Sequence, residues 1–458
     1  MKRMHIIIIS IFLFACNHLP TNKKNNSSKM ENNSFTPVEW AHNTNVYEVN
    51  LRQYTEAGSF NAFAKELPRL KEMGVETLWF MPITPIAQQN KKGSLGSQYA
   101  CSDYTAINPE FGTIDDFKKL VQQAHELGFK VIIDWVANHT GWDHRWTKEH
   151  PEYYKKDSSG NFNMASGMDD IIELDYHNPA LRNAMIDAMA FWVNETGIDG
   201  YRCDLAFWVE LDFWKEARTA LEKTKKLFWL GEFDALEKPE YMQVFDASYS
   251  WTWMHKTEDY YQNKIDMAAL KTILAHYDTA GGINKMKLWF TTNHDENSWN
   301  GTEYEKYGNM AKALAVFSFT WDGIPLIYSG QELPNIKRLK FFEKDVIEWN
   351  GKYLLQDFYK TLIDLRKNNI ALRAGLSNAK TFLLHTNHEN NILAYLRKNG
   401  EKEVLVFLNL SKEPLKFTIT ENMLSGMYKN IFSGNATMDL TGKTAFELKP
   451  WEYQVYEK

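Results

Sequence analysis

The apolar residues of this chain alternate between two patterns from residue 46 to residue 329. Short runs rich in β-branched and aromatic residues recur, and longer amphipathic stretches separate them. The short runs predict eight strands: VYEVNL (46–51), TLWFM (77–81), KVIIDW (130–135), DGYRCD (199–204), FWLGE (228–232), DASYSW (246–251), KLWFTTN (287–293) and IPLIYS (324–329).

The stretches between these strands predict helices. Two of them, SFNAFAKELPRLKEMG (59–74) and TIDDFKKLVQQAHELG (113–128), open with a hydroxyl residue that can cap a helix and close on a glycine that can end one. A strand followed by a helix, repeated eight times, is the pattern of a (β/α)₈ TIM barrel. The sequence therefore predicts an α/β fold with such a barrel over residues 38–375.

Two segments depart from this repeat. Residues 139–177, after the third strand, contain Trp, Tyr, His and Gly but no helical period, which indicates a short insertion that forms part of a cleft wall. After Arg373 the chain changes to short alternating runs separated by turn residues. That pattern predicts a C-terminal antiparallel β-sandwich domain over residues 376–458.

The N-terminus has the pattern of an export signal. Lys2 and Arg3 precede an apolar run (6–15) that is shorter than the about 20 residues needed to span a bilayer. With Cys16 directly after it, residues 1–16 resemble a bacterial lipoprotein signal, in which the cysteine carries the lipid; a plain secretory signal is the alternative. Residues 17–37 are rich in Asn, Lys and Ser, which predicts a flexible tether. The expected location is the bacterial cell envelope, with the membrane as a partner through Cys16.

The amino-acid composition excludes some classes of function and permits others. Lys and Arg total 52 against 58 Asp and Glu, a net charge of −6, so the chain has no positive field to hold nucleic acid. The 16 Trp, 22 Tyr and 27 Phe can stack on neutral ring-shaped ligands, or they can simply pack the core. Besides Cys16 there are only Cys101 and Cys203, which we expect to be buried thiols rather than a disulfide.

Acidic and basic side chains gather at the ends of the predicted strands, where active sites of such barrels lie. Arg202 and Asp204 are two apart on a strand and share a face, and a guanidinium favours the ionised form of a carboxylate. Glu232 follows an apolar strand, where burial favours the protonated form. Alone, the Arg-x-Asp pattern is more often a structural ion pair. Together, a charged and a protonated carboxyl group on adjacent strands are the equipment for cleaving glycosidic bonds.

Four motifs carry a resemblance to a known family. VIIDWVANHTG, GYRCDLA, FWLGEFD and FTTNHDENSW, in this order, resemble the signatures of the α-amylase family, glycoside hydrolase family 13. SQYACSDYTAINPEFGT, LDYHNPALR and GIPLIYSGQE are similar to further segments of that family, so the resemblance covers about residues 45–335.

The resemblance implies roles for individual residues. Asp204 would be the nucleophile, Glu232 the acid/base, and Asp295 the third carboxylate that holds sugar hydroxyls and favours ring distortion. His139 and His294 would donate hydrogen bonds to the sugar. The same comparison implies that Tyr99 stacks beneath the sugar and that Arg202, oriented by Asp134, belongs to the substrate-binding set. Trp142 and Trp208 would line outer subsites or merely pack the cleft wall.

The chain departs from the family pattern at two places. Phe207 and Trp208 stand where many members have Lys-His, so the acceptor side of the cleft is expected to recognise its sugar differently. Asn138 and Asp175 match calcium-ligand positions of calcium-dependent members, but the usual His ligand is absent. A structural Ca²⁺ is therefore one expectation, and an Asn138 that pins its loop by hydrogen bonds is the other. No organic cofactor is expected.

These observations leave three functional hypotheses. The first is a retaining hydrolase of internal α-1,4 bonds in starch or maltooligosaccharides. The second is another specificity of the same family: an exo-acting α-glucosidase, a cyclodextrin- or pullulan-degrading enzyme, or a transglycosylase. The third is a non-catalytic starch-binding lipoprotein, although all three carboxylates of the site are present.

Overall fold

The computed structural model describes residues 35–282, 284–419, 423–434, 436–440 and 445–458. The predicted signal peptide with Cys16 and most of the predicted tether lie outside these residues, so the lipid anchor stays a prediction. Phe35, at the end of that tether, packs its ring under the guanidinium of Arg218.

The described residues contain strands in two groups, one on each side of residue 375. In the first group are β1 (Val46–Val49), β2 (Thr77–Phe80), β3 (Lys130–Trp135), β4 (His139–Gly141), β5 (Ile171–Glu173), β6 (Gly200–Cys203), β7 (Phe228–Asp234), β8 (Ala247–Tyr249), β9 (Met286–Trp289) and β10 (Ile324–Tyr328). In the second are β11 (Lys380–Leu384), β12 (Ile392–Asn399), β13 (Lys402–Asn409), β14 (Leu415–Thr418), β15 (Met427–Asn430), β16 (Thr437–Asp439), β17 (Ala445–Leu448) and β18 (Tyr453–Glu457).

The α-helices follow the barrel strands or connect them. They are α1 (Leu51–Tyr54), α2 (Phe60–Phe63), α3 (Leu67–Met73), α4 (Ile114–Glu126), α5 (Trp146–Glu149), α6 (Pro179–Thr196), α7 (Leu211–Leu221), α8 (Trp251–Tyr261), α9 (Met267–Thr279), α10 (Glu303–Tyr307), α11 (Ala311–Thr320) and α12 (Gln356–Asn368). The predicted caps are present: Thr113 and Asp116 form a capping box at α4, and Gly74 ends α3 in a left-handed conformation.

All eight predicted strands join one closed parallel barrel in the order β1-β10-β9-β8-β7-β6-β3-β2, which confirms the fold class. Side chains alternate across each strand: Ile132 on β3 packs inside the barrel, whereas Val131 and Ile133 pack in the outer core with the helices. Because both faces of each strand are covered, the strands read as continuous apolar runs.

The segment after β3 forms the predicted excursion, in which β4 and β5 pair antiparallel with His139 opposite Glu173. After α12 comes the predicted antiparallel β domain. It has a six-stranded sheet in the order β11-β12-β13-β18-β15-β16 and a two-stranded sheet, β14-β17. Phe407 of the larger sheet contacts Phe417 and Phe446 of the smaller one, at ring distances of 5.3 and 4.5 Å, so the two sheets face each other.

Cys101 and Cys203 are buried free thiols, as predicted. Burial raises the pKa of Cys101 to about 12, which keeps this thiol protonated. Among the residues described, none of the helices has the length and apolar character that crossing a membrane requires.

Candidate active site

A cavity of about 490 Å³ opens at the carboxyl ends of the barrel strands. Six of the seven residues predicted to be catalytic or substrate-binding line it: Tyr99, His139, Asp204, Glu232, His294 and Asp295. The seventh, Arg202, is fully buried and binds two of these carboxyl groups from below. The structure therefore brings all seven together, although five separate segments supply them.

Arg202 on β6 is the centre of the charged network. Its Nη1 donates hydrogen bonds to Asp134 Oδ1 at 2.9 Å and to Asp204 Oδ1 at 2.8 Å. Its Nη2 lies 3.0 Å from Glu232 Oε2 but is not aligned for a hydrogen bond. The predicted orienting contact of Asp134 with Arg202 is confirmed, and it follows from the pairing of β3 with β6, which sets these two residues side by side.

Burial controls the ionisation of the two carboxyl groups. Burial raises the pKa of Asp204 to about 6, although Arg202 opposes this shift. Burial likewise raises the pKa of Glu232 to about 7, again against Arg202. Arg202 favours the ionised form of Asp204, as expected, but desolvation outweighs it. The raised pKa of Glu232 favours the proton that an acid catalyst needs.

His294 lies between three oxygen groups. Its Nδ1 is 2.5 Å from Glu48 Oε1, and its Nε2 is 2.7 Å from the Tyr99 hydroxyl and 3.3 Å from Asp295 Oδ2. Burial alone would lower the pKa of His294, but Asp295 and Glu48 raise it to about 9. The Tyr99 ring stacks on the imidazole at 5.3 Å, so the ring and the histidine form one wall of the cavity.

His139 offers a second histidine nitrogen. Burial lowers the pKa of His139 to about 4, so the ring is neutral at physiological pH. Its Nε2 is buried and has no hydrogen-bond partner among the residues that the structure describes. A buried polar atom without a partner at a cavity wall is a site where a ligand can supply the missing hydrogen bond.

Comparison with known proteins agrees with this geometry. The catalytic domain of α-amylases matches residues 24–166 and 152–344, which together cover more than half of the chain. The chain belongs to the α-amylase family. The C-terminal domain of maltogenic amylases matches residues 382–455. This assignment makes the chain an amylase-type glycoside hydrolase.

Individual members of the α-amylase family resemble this chain over most of its length. Alpha-amylase 2 of Dictyoglomus thermophilum is 26% identical over 85% of this chain and 69% of its own. The maltogenic α-amylase of Bacillus acidopullulyticus is 27% identical over 87% of this chain and 70% of its own. The crystal structure of a noncanonic maltogenic α-amylase from Thermotoga neapolitana superposes with a TM-score of 0.83 at 29% identity, covering 91% of this chain and 98% of that one.

One backbone feature of this family member was not predicted. Leu205, directly after Asp204, has a positive φ of 40°. For a non-glycine residue this conformation costs roughly 1–3 kcal/mol. At this turn the Leu205 N–H donates to Glu232 Oε2 at 2.8 Å. The turn thus fixes one oxygen of Glu232, and no side-chain pattern in the sequence signals it.

The outer part of the cavity is aromatic. Trp208 lines it as predicted, whereas Trp142 is not among the lining residues and donates its indole N–H to the Asp169 carbonyl oxygen at 2.8 Å. Trp299, which is 52% exposed, and Phe341 also line it and lie 5.2 Å apart. Trp299 ends the quoted motif FTTNHDENSW and could have been found there; Phe341 follows β10 in a segment without any motif.

The two residues that match calcium positions have other partners. Asn138 Nδ2 lies 3.3 Å from His139 Nδ1, and Asp175 Oδ1 accepts a hydrogen bond from the His177 backbone N–H at 3.1 Å. No cluster of three or more His, Cys, Asp or Glu side chains suited to a metal ion occurs in the described ranges. The structural Ca²⁺ expected from the sequence stays a prediction.

Proposed function

We propose that this enzyme is a retaining hydrolase that cleaves internal α-1,4-glucosidic bonds of starch or maltooligosaccharides. The proposal rests chiefly on two carboxyl groups, those of Asp204 and Glu232, that contact the same guanidinium and line the same cavity. Retaining enzymes have their two carboxyl groups about 5–5.5 Å apart, so that one can attack the sugar directly. Carboxyl groups joined by one arginine favour this short spacing.

The first step forms a covalent intermediate. Asp204 Oδ1 is held by Arg202, which leaves Oδ2 to attack the anomeric carbon as the glycosidic C–O bond breaks. Glu232 Oε2 accepts from the Leu205 N–H, which leaves Oε1 to carry the proton. That proton goes to the glycosidic oxygen, so the shortened chain leaves as an alcohol.

The second step reverses the roles. The ionised Glu232 takes a proton from water, and the water oxygen attacks the anomeric carbon and releases Asp204. Two inversions return the original configuration. Asp295 would hold sugar hydroxyls and favour the distorted ring of the transition state, in which positive charge develops at the anomeric carbon.

The remaining side chains suit a neutral sugar. His139 Nε2 and His294 Nε2 can hydrogen-bond hydroxyl groups, and the Tyr99 ring offers a face for stacking. Trp208 and Trp299 extend the aromatic lining outward, where neighbouring glucose units would lie. Attachment to an envelope membrane through Cys16 is part of the same proposal and rests on the sequence alone.

One contact favours a second specificity within the family. Lys92 Nζ lies 2.9 Å from Asp170 Oδ1, and both residues line the cavity from different loops. An ion pair that joins two loops at the cavity would limit the room for a long chain on that side, which favours an exo-acting α-glucosidase as the second candidate. A cyclodextrin- or pullulan-degrading enzyme and a transglycosylase are the further specificities of the same family.

Trapping the covalent intermediate tests the proposed chemistry. We expect an activated fluoroglucoside to add one glycosyl mass to the enzyme, on the peptide that contains Asp204, because the fluorine slows release more than attack. Asp204→Asn should remove both the label and turnover while starch binding persists. An unlabelled but starch-binding wild-type protein would instead identify a non-catalytic binder.

Product analysis over time separates the two specificities. From amylose, internal cleavage yields a spread of intermediate lengths at early times, whereas exo action yields a single short product from the start. Amylose, pullulan, cyclodextrin and maltotriose should be compared, with Asp204→Asn as the blank.

A further inference from the structure

Glu48 is an acidic residue buried beneath the cavity that the proposed chemistry does not use. It lies on β1, is 0% exposed, and is paired in register with Trp79 of β2 and Tyr328 of β10. Its Oε1 is 2.5 Å from His294 Nδ1. Its Oε2 is buried and has no hydrogen-bond partner among the residues described by the structure. A carboxyl group in such a place is costly unless it has a specific partner, and here that partner is His294.

The hydrogen bonds around His294 determine where its protons lie. The Tyr99 hydroxyl donates its only hydrogen to Asp134 Oδ2 at 3.0 Å. The Tyr99 oxygen can therefore only accept from His294 Nε2, 2.7 Å away. Asp295 Oδ2 lies 3.3 Å from the same nitrogen. Nε2 thus carries a hydrogen, and the second proton of the pair is shared between Nδ1 and Glu48.

The charges that face this pair favour the proton on the histidine. Asp295 and Glu48 raise the pKa of His294 above its usual value, although burial and Arg202, which is itself bound to Asp134, lower it. Burial also raises the pKa of Glu48, and His294 opposes that shift. The ionisable groups that face His294 or Glu48 are Tyr99, Asp134, Arg202, Tyr249, Asp295 and Tyr328. Within this set, an imidazolium and a Glu48 carboxylate form a neutral pair that tolerates full burial.

We propose that Glu48 is a positioning residue that keeps His294 doubly protonated, with its Nε2–H donated to the Tyr99 oxygen at the cavity wall. Glu48 touches no substrate and acts through the histidine. A charged imidazolium makes shorter and stronger hydrogen bonds than a neutral ring, so Glu48 strengthens the bond of His294 Nε2–H, to the Tyr99 oxygen in the resting enzyme and to a sugar hydroxyl that shares this hydrogen when substrate binds. The role in turnover rests on the proposed function; the protonation state of His294 does not.

Nitrogen NMR of the resting enzyme tests the protonation directly. In ¹⁵N-histidine-labelled wild-type protein, both ring nitrogens of His294 should show the protonated shift from pH 6 to pH 8, consistent with a pKa of about 9. The signal is assigned by its loss in His294→Gln. A neutral ring with unprotonated Nδ1 at pH 7 would overturn the inference without any further variant.

Glu48→Gln separates charge from shape. The amide keeps the size of the side chain and can donate to Nδ1, but it removes the anion. We expect His294 to become neutral between pH 6 and pH 8 and kcat to fall about tenfold or more, with a smaller change in KM, because the donor acts mainly on the transition state. An unchanged His294 titration and unchanged kcat would contradict the inference.

Glu303→Gln is the matched control. Glu303 is also buried, accepts hydrogen bonds from Thr291 and Gln331, and does not line the cavity. Its replacement should change stability but neither the His294 spectrum nor kcat. If no variant or wild-type protein hydrolyses any glucan, the proposed function fails while the NMR result still decides the state of His294.

Discussion

At the residue scale, one fully buried guanidinium serves three carboxyl groups. Arg202 binds Asp134 and Asp204 and lies beside Glu232, so the three acids share this guanidinium. Because desolvation outweighs Arg202 at each of these acids, their pKa values rise, to about 6 for Asp134 and Asp204 and about 7 for Glu232. Burial is what leaves a proton available for acid catalysis.

The roles assigned to Asp204 and Glu232 predict a bell-shaped dependence of kcat/KM on pH. Asp204 must be charged, so kcat/KM should rise as the pH climbs through about 6. Glu232 must be protonated, so kcat/KM should fall as the pH climbs through about 7. Initial rates on an aryl maltooligosaccharide from pH 4 to pH 9 measure both limbs.

Glu232→Gln is the control for the alkaline limb. It should lose that limb and lose far more rate on natural glucans than on substrates whose leaving group needs no proton. A wild-type profile that stays flat from pH 5 to pH 8 would remove these two groups from their assigned roles.

At the element scale, β6 ties the site to the barrel. It begins at Gly200, carries Arg202, and leads directly into Asp204. A Cβ at Gly200 would lie 2.1 Å from the Phe228 carbonyl oxygen on β7. Only glycine therefore allows the two strands to pair at the distance that sets Arg202 between its acids.

Gly200→Ala should damage both stability and activity. Relief of the overlap must move backbone, so we expect a loss of about 3 kcal/mol in the free energy of unfolding. The same movement shifts Arg202 and should lower kcat. Urea unfolding and initial rates measure the two effects.

Gly160→Ala serves as the comparison. Gly160 has a positive φ of 84°, which strains any side chain, but nothing lies within 4 Å of an added Cβ. It should lose about 1 kcal/mol and keep its kcat. If Gly200→Ala stays within about 0.5 kcal/mol of wild type, the close strand contact is not needed.

At the scale of the whole molecule, the β domain is fastened to the barrel by buried polar contacts. The Arg397 side chain on β12 is fully buried and donates to the carbonyl oxygens of Ala371 and Arg373, at 3.1 and 3.3 Å. Tyr395 on the same strand shares a 2.6 Å hydrogen bond with Thr320 of α11. These hydrogen bonds join the β domain to the last segments of the barrel domain. Neither of the two β12 side chains lines the cavity.

Arg397→Met should weaken the molecule without changing its chemistry. The substitution leaves buried carbonyl oxygens without donors, which should cost about 2–4 kcal/mol of unfolding free energy. Because Arg397 is remote from the cavity lining, kcat at 25 °C should not change. Urea unfolding followed by tryptophan fluorescence, together with initial rates, checks both statements.

Lys416→Met in the same domain is the matched control. Its ion pair with Glu447 is exposed, with 80% of the lysine side chain accessible, so the loss should stay below about 1 kcal/mol. An equal loss in both variants would show that the Arg397 contacts do not hold the domain.

Particular residues show which features of the fold and the site the sequence predicted. The eight strands were predicted because buried parallel strands are continuous apolar runs. Six of the seven predicted site residues line one cavity because they follow the carboxyl ends of those strands or lie on the loops between them. For Trp142 the sequence left subsite lining and wall packing open, because local sequence does not tell which way a loop tryptophan turns. In the structure Trp142 is not among the residues that line the cavity. Glu48 was read only as part of an apolar strand, although an acid inside such a run is itself a signal.

The order of elements along the chain, the positions of the acids and histidines, and the family were readable from local pattern, because hydrophobic period and strand-end position depend on near neighbours in the chain. The raised pKa of Asp204, the partner of Glu48, and the left-handed turn at Leu205 depended on the folded molecule. Burial and charge at these positions come from segments up to 246 residues apart, as between Glu48 and His294. Electrostatic energies are sums over neighbours in space, and those neighbours exist only once the barrel has closed.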